Sequence, residues 1–163
     1  MIKHLDYCTH ILNPEDVAIL KTQSFDVNLR LLKTSPGYKA IIQQICNYIA
    51  WSATTLKEGY SKPKGWSGPN AGIPFRIIYV PPYGIMINPV WISTDTKYED
   101  AYVKSNCGSL TLPKTIQVRR DRVINIKYWT IDGQEHSVER MTKADGGYTF
   151  QHEYAHCNGE LIK

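Results

Sequence analysis

Apolar positions along this chain change period once. After Ser35-Pro36, the residues Tyr38, Ile41, Ile42, Ile45, Cys46, Ile49 and Leu56 recur at helical spacing, with Gly59 placed to end the run. This predicts a long helix with one face turned to a core. Further upstream, Asn13 followed by Pro14, Glu15 and Asp16 supplies an N-cap, a proline at the first helical position and acidic residues in the first turn, so a short helix is expected to start there. From Phe75 the pattern turns to β. Residues 75–80, 84–92, 116–119 and 123–130 are rich in Ile, Val, Tyr and Trp. Pro81-Pro82-Tyr83-Gly84 and Asp132-Gly133 supply turns, the second leading as a hairpin into residues 134–141. A last helix is expected over residues 144–157, with Asn158-Gly159 as its stop. These elements predict an α+β fold in which mostly antiparallel strands wrap around one C-terminal helix, with a further long N-terminal helix.

Composition narrows the class. The chain has 163 residues, a usual size for one domain, and it contains no internal repeat or low-complexity linker, so residues 1–163 are expected to form a single domain. Residues 60–72, rich in Gly, Pro, Ser and Lys, read as a functional loop within it. No run is long enough to span a bilayer and the first residues carry no apolar signal segment, which leads us to expect a soluble, cytoplasmic protein without a membrane partner. The four cysteines lack framework spacing and are expected to remain thiols. A net charge of +4 without a basic run gives no footprint of a specific nucleic-acid binder; it is compatible at most with transient contact with a ribosome.

The chemistry concentrates near the C-terminus. His152-Glu153-Tyr154-Ala155-His156 places two imidazoles four residues apart, on one helical face, with a carboxylate between them. Both histidines can then reach one divalent ion while Glu153 serves as a general base towards water. Only seven residues follow His156, so a third ligand is expected upstream. Among the cysteines, Cys107 lies in the polar, glycine-containing stretch Ser105-Asn106-Cys107-Gly108-Ser109-Leu110, where a thiolate can approach a metal, whereas Cys46 and Cys157 read as small core residues. A metalloprotease or other metal-dependent amidase, using His136 or an acidic residue as third ligand, shares the helix motif.

Three segments in order carry a resemblance to the peptide deformylases. Gln151 through Gly159 resembles that family's Q-H-E-x-D-H-x-x-G. Asn106-Cys107-Gly108-Ser109 resembles E-G-C-L-S, and Gly65-Trp66-Ser67-Gly68-Pro69-Asn70-Ala71-Gly72 resembles G-L-A-A-P-Q-I-G, followed by Arg76-Ile77-Ile78 and Asn88-Pro89. The resemblance implies removal of the formyl group from N-formyl-methionyl peptides. It implies Cys107, His152 and His156 as metal ligands, Glu153 as base, and the Gly108 backbone N–H and Asn70 amide as oxyanion donors. It further implies Gly65, Tyr148 and Thr149 at the substrate, and one divalent metal, Fe2+ foremost, with Zn2+, Ni2+ or Co2+ as substitutes. The chain is similar to short members without a C-terminal extension, some of them viral, for which the host-cell cytoplasm is the expected location. Ser105, Asn106, Gly108, Asn70 and Ala155 depart from the family's residues; Ala155 stands where the family has Asp, with Arg119 at the place of that Asp's basic partner. These departures keep a catalytically weakened metal- or peptide-binding homologue as a further reading, against which the retained Glu153 argues.

Overall fold

The computed structural model describes residues 18–55, 65–97, 100–105 and 116–160. The expected helix start near Asn13, the helix end at Leu56 and Gly59, and the segment holding Cys107 and Gly108 lie outside them. Residues 18–20 are helical, and two further helices follow, α1 (Leu29–Thr34) and α2 (Pro36–Thr54). Strands β1 (Trp66–Ser67), β2 (Ile77–Val80), β3 (Gly84–Thr94), β4 (Ala101–Ser105), β5 (Ile116–Arg120), β6 (Ile124–Trp129) and β7 (Glu135–Met141) follow, and α3 (Gly147–Cys157) comes last. The pairings β1-β2-β3-β6-β7 make one antiparallel sheet and β4-β5 a separate ribbon. The α+β expectation holds.

The centre of the large sheet is covered on both faces, which is why β2 reads as a continuous apolar run. Strand alternation sends Ile77 and Tyr79 towards α2, where they join Ile42, Ile45, Cys46 and Ile49. Ile78 and Val80 point the other way, to a second core with Met86, Ile124, Ile126 and the α3 residues Phe150 and Cys157. Both cysteines read as core residues are therefore buried, and burial raises each thiol to about 12. Neither is expected to react with a thiol reagent at pH 8 until the protein unfolds; peptide mapping after alkylation of the native protein tests this.

Three expectations need correction. Ile41 is 58% exposed, because the buried stripe of α2 runs through Ile42, Ile45, Cys46, Ile49, Ser52 and Ala53 instead. The C-terminal helix starts at Gly147 rather than Ala144. Residues 142–146 form a tight turn in which Asp145 Oδ2 accepts from Thr142 N–H (3.1 Å) and Thr142 Oγ1 (2.6 Å), and Gly146 at φ +87° is left-handed and cannot extend the helix backwards. Finally, α1, β1 and β4 were not anticipated. Asn28 caps α1 by accepting from Leu31 N–H (3.0 Å), a signal hidden beside the longer helix that follows at once.

Side-chain ties fix α3 against the sheet. Gln151 exchanges two hydrogen bonds with the Asp121 backbone, its Nε2 donating at 2.8 Å and its Oε1 accepting at 3.0 Å. Arg76, at the entrance to β2, donates to Asn158 Oδ1 (2.8 Å) and stacks over Tyr154. At the β3 irregularity Asn88, with φ +47°, uses its side chain to accept from Val27 N–H and donate to Val27 O, both at 2.8 Å.

Candidate active site

One turn of α3 brings the ligand-type groups together. The Nε2 atoms of His152 and His156 lie 3.1 Å apart, with the rings edge-on. Two imidazole nitrogens bound tetrahedrally to one zinc-sized ion are about 3.3 Å apart, so the spacing fits a shared divalent cation. Together with Glu153 they form a group whose ligand atoms all lie within 4.8 Å of one another. Burial, reinforced by the nearby Arg120 guanidinium, lowers His152 to about 4. His156 falls to about 3 through burial, His152 and Arg120. Both rings are neutral at pH 7 and lose no proton on binding a metal.

Glu153 is enclosed. Burial raises its carboxyl to about 8, opposed by Ser67, whose hydroxyl is nearby without the alignment of a hydrogen bond. Its Oε2 is buried and meets no hydrogen-bond partner among the described residues. Such an oxygen points to chemistry rather than to packing. An adjacent cation favours the carboxylate, which is the form a general base requires.

These shifts give the metal-free protein a pH signature. The histidines, lowered on folding from 6.5, stabilise the fold above that value and lose their contribution as pH falls through 4 and 3. Glu153, raised from 4.5, contributes below that value and loses its contribution as pH rises through 8. Between pH 4.5 and 6.5 two histidines outweigh one carboxyl, and above 6.5 only the carboxyl matters. Thermal denaturation of chelator-treated protein is therefore expected to show maximal stability near pH 6.5, and Glu153→Gln to remove the decline towards pH 8.

The loop before β2 closes over this turn. Gly65 lies so near α3 that a Cβ there would sit 2.4 Å from Thr149 Cγ2 and 3.1 Å from Glu153 Oε1. Gly65 is thus more than a turn residue. Gly65→Ala is expected to displace the base and reduce turnover by on the order of a hundredfold with metal content intact; an unchanged rate would detach this loop from the site. Gly68 is required for another reason, since a Cβ would meet Phe75 O at 2.4 Å. Its compact turn leads into the short 3-10 segment Pro69–Ala71, which packs on α3 and buries Asn70, whose Oδ1 has no partner among the described residues.

Of the other expected site residues, Thr149 faces Gly65, and Tyr148 is half-buried on the first turn of α3 beneath the Lys143 ammonium. Cys107 and Gly108 lie outside the described residues. His136 stacks on Tyr128 and is not in the ligand group. Arg119 is exposed and paired with Asp100, while Arg120, on the other strand face, is the cation that disfavours protonation of the histidines. Sequence reasoning missed Arg120, though strand alternation separates the two arginines. It also missed Ser67, whose signal was a hydroxyl within the first motif at a position where the resembled family has alanine.

A helix that presents two neutral imidazoles to one point, with a buried carboxylate between them, defines a metal-dependent hydrolase site. The family model for polypeptide deformylase matches residues 16–163, and the chain belongs to that family. Among solved structures it is similar to the peptide deformylase of Thermotoga maritima (22% identity, 98% of this chain and 96% of that one, TM-score 0.67). A deformylase from the Vibrio parahaemolyticus bacteriophage VP16T, in complex with actinonin, is similar at 19% identity, covering 96% and 99% of the two chains with TM-score 0.66. The Met-Ala-Ser-bound class I type b enzyme of Acinetobacter baumannii matches at 24% identity, 88% and 90% coverage and TM-score 0.64. No curated protein sequence matches the chain. Among the described residues no helix is long and apolar enough to cross a membrane.

Proposed function

We propose that this chain hydrolyses the N-formyl group of formyl-methionyl nascent peptides, releasing formate and a free N-terminal methionine. The carrying observation is the convergence of His152 and His156 Nε2 at 3.1 Å beside a buried Glu153 oxygen that has no partner among the described residues. Family membership over residues 16–163 supplies the reaction class. We take residues 1–163 as one catalytic unit acting in the cytoplasm, in the host cell if phage-encoded, with transient access to the ribosome where its substrates emerge.

His152, His156 and Cys107 would hold one divalent ion, Fe2+ in the first instance and Zn2+, Ni2+ or Co2+ as substitutes. When bound, such an ion supplies Lewis acidity that polarises the formyl carbonyl and makes water a nucleophile at neutral pH. The remaining work falls to the protein. Glu153 accepts the proton of the attacking water at its carboxylate and delivers it to the leaving amine, so the base of the first half becomes the acid of the second. Asn70 Nδ2 and the Gly108 N–H donate to the formyl oxygen as negative charge develops there. The Gly65 segment pairs with the extended peptide backbone, and Tyr148 and Thr149 border the methionine side chain.

The decisive assay is formate release from a formyl-Met peptide by metal-loaded protein. Turnover is expected with wild type, and Cys107→Ser is expected to weaken metal binding and turnover together, because a neutral hydroxyl is a poorer ligand than a thiolate. Asn70→Ala should retain the metal and lose on the order of a hundredfold in rate. Wild type that releases no formate with any of the four metals would refute the assignment.

A further inference from the structure

The outer face of α2 carries no charge of its own. Surface helices normally set charged residues opposite their core stripe, yet among the 19 residues of α2 the only charged one is Lys39, whose ammonium is bound to Asp132 at 2.6 Å. The core takes Ile42, Ile45, Cys46, Ile49, Ser52 and Ala53. A second row remains: Ile41, Gln44, Tyr48 and Trp51 follow one another at intervals of three, four and three residues, which aligns them on one side of the helix. Ile41 and Trp51 are 58% and 44% exposed, Gln44 is exposed, and Tyr48 stacks on Trp51 with ring centroids 6.0 Å apart. Beside the row, Gln43 Nε2 donates to Asn47 Oδ1 at 2.9 Å and forms an uncharged rim.

The row is symmetric about its own centre. Cys46 lies midway in sequence between Ile41 and Trp51, and midway also between Gln44 and Tyr48. A two-fold axis at that level, with two helices antiparallel, sets Ile41 of each copy against Trp51 of the other and Gln44 against Tyr48. A large side chain then meets a smaller one at both ends. The alternation of three and four is that of a coiled-coil seam, so two such rows can follow each other along their length at a crossing angle of about 20°. A charged partner would find no unpaired charge on α2 to complement, whereas two uncharged rows meet without desolvating an ion.

We propose that α2 is a dimerisation surface on which a second copy of this chain docks antiparallel through Ile41, Gln44, Tyr48 and Trp51. One helix pair buries less than the roughly 1,600 Å2 of a standard interface, so a dissociation constant on the order of 10 μM is expected. Because α2 covers the face of the large sheet opposite α3, the helix that carries the histidines stays accessible in both copies.

The test is sedimentation velocity of the full-length protein at moderate salt, over concentrations from well below to well above the expected constant. Wild type should pass from monomer to dimer. Ile41→Glu and Trp51→Lys should each keep native circular dichroism and stay monomeric, because either homodimer would set a charge against an apolar side chain at both ends. Mixed in equal amounts, the two variants should dimerise again: the introduced carboxylate faces the introduced ammonium at one end, and the wild-type contact of Ile41 with Trp51 returns at the other. A parallel pair, in which each position meets itself, gains nothing from mixing. A variant that loses native circular dichroism is replaced by Ile41→Gln or Trp51→Gln, which add no charge and should raise the dissociation constant by about tenfold. Wild type that stays monomeric throughout, variants that dimerise as wild type does, or a mixture that stays monomeric overturns the proposal. So does binding of wild type to phosphatidylcholine vesicles in place of self-association.

Discussion

Glu153→Gln is expected to retain its metal and lose deformylation by on the order of a thousandfold, within the range found when a positioned base is removed. The substitution keeps volume and planarity, so the contact with Gly65 and the packing beneath the loop persist. What disappears is the buried carboxylate proposed to take a proton from water and return it to the amine. Formate release and metal content measured on the same sample decide the matter: activity near wild type removes Glu153 from the chemistry, and loss of metal shows that it acts as a ligand instead.

Replacing either histidine by alanine should abolish metal retention and turnover, but the two variants should differ in stability. His156 is fully buried, whereas His152 is partly accessible. Removing the His156 ring leaves a cavity against the core and should cost the metal-free fold about 2–4 kcal/mol; His152→Ala should cost less. Chemical denaturation of both chelator-treated variants, set beside a metal titration, separates the ligand role from the packing role. Equal stability losses would mean that burial does not distinguish the two rings.

The helix of the site was legible because its information is local. Residues four apart share a face whatever surrounds them, so His152 and His156 could be paired from sequence, and Asn158-Gly159 marked the stop. Strands β2, β3 and β6 were legible for the same reason, as runs of Ile, Val, Tyr and Trp between turns, and β7 from the Asp132-Gly133 hairpin, whereas β1 falls in the stretch read as a loop. Where the outcome depends on partners distant in sequence, reading fails. Ala101–Ser105 forms a strand because β5 lies alongside it, and its own residues give little sign. The helix start moved to Gly147 because the 142–145 turn closes on itself, and the pairing of Arg119 with Asp100 depends on neighbouring strands that local pattern does not reveal. That Gly65 meets Glu153 across more than eighty positions of sequence is likewise a product of tertiary packing.

Placing both imidazoles on a single turn of α3 also has a kinetic meaning. Once one histidine has captured an ion, the other is tethered at high local concentration, with no loop to close and almost no conformational freedom left to lose. Escape then requires both bonds to break before either re-forms, or the helix to open. Since Gln151 fastens that helix to Asp121 just past the end of β5, and Arg76 fastens it to the entrance of β2, rates of metal escape become a gauge of how often this one turn unwinds.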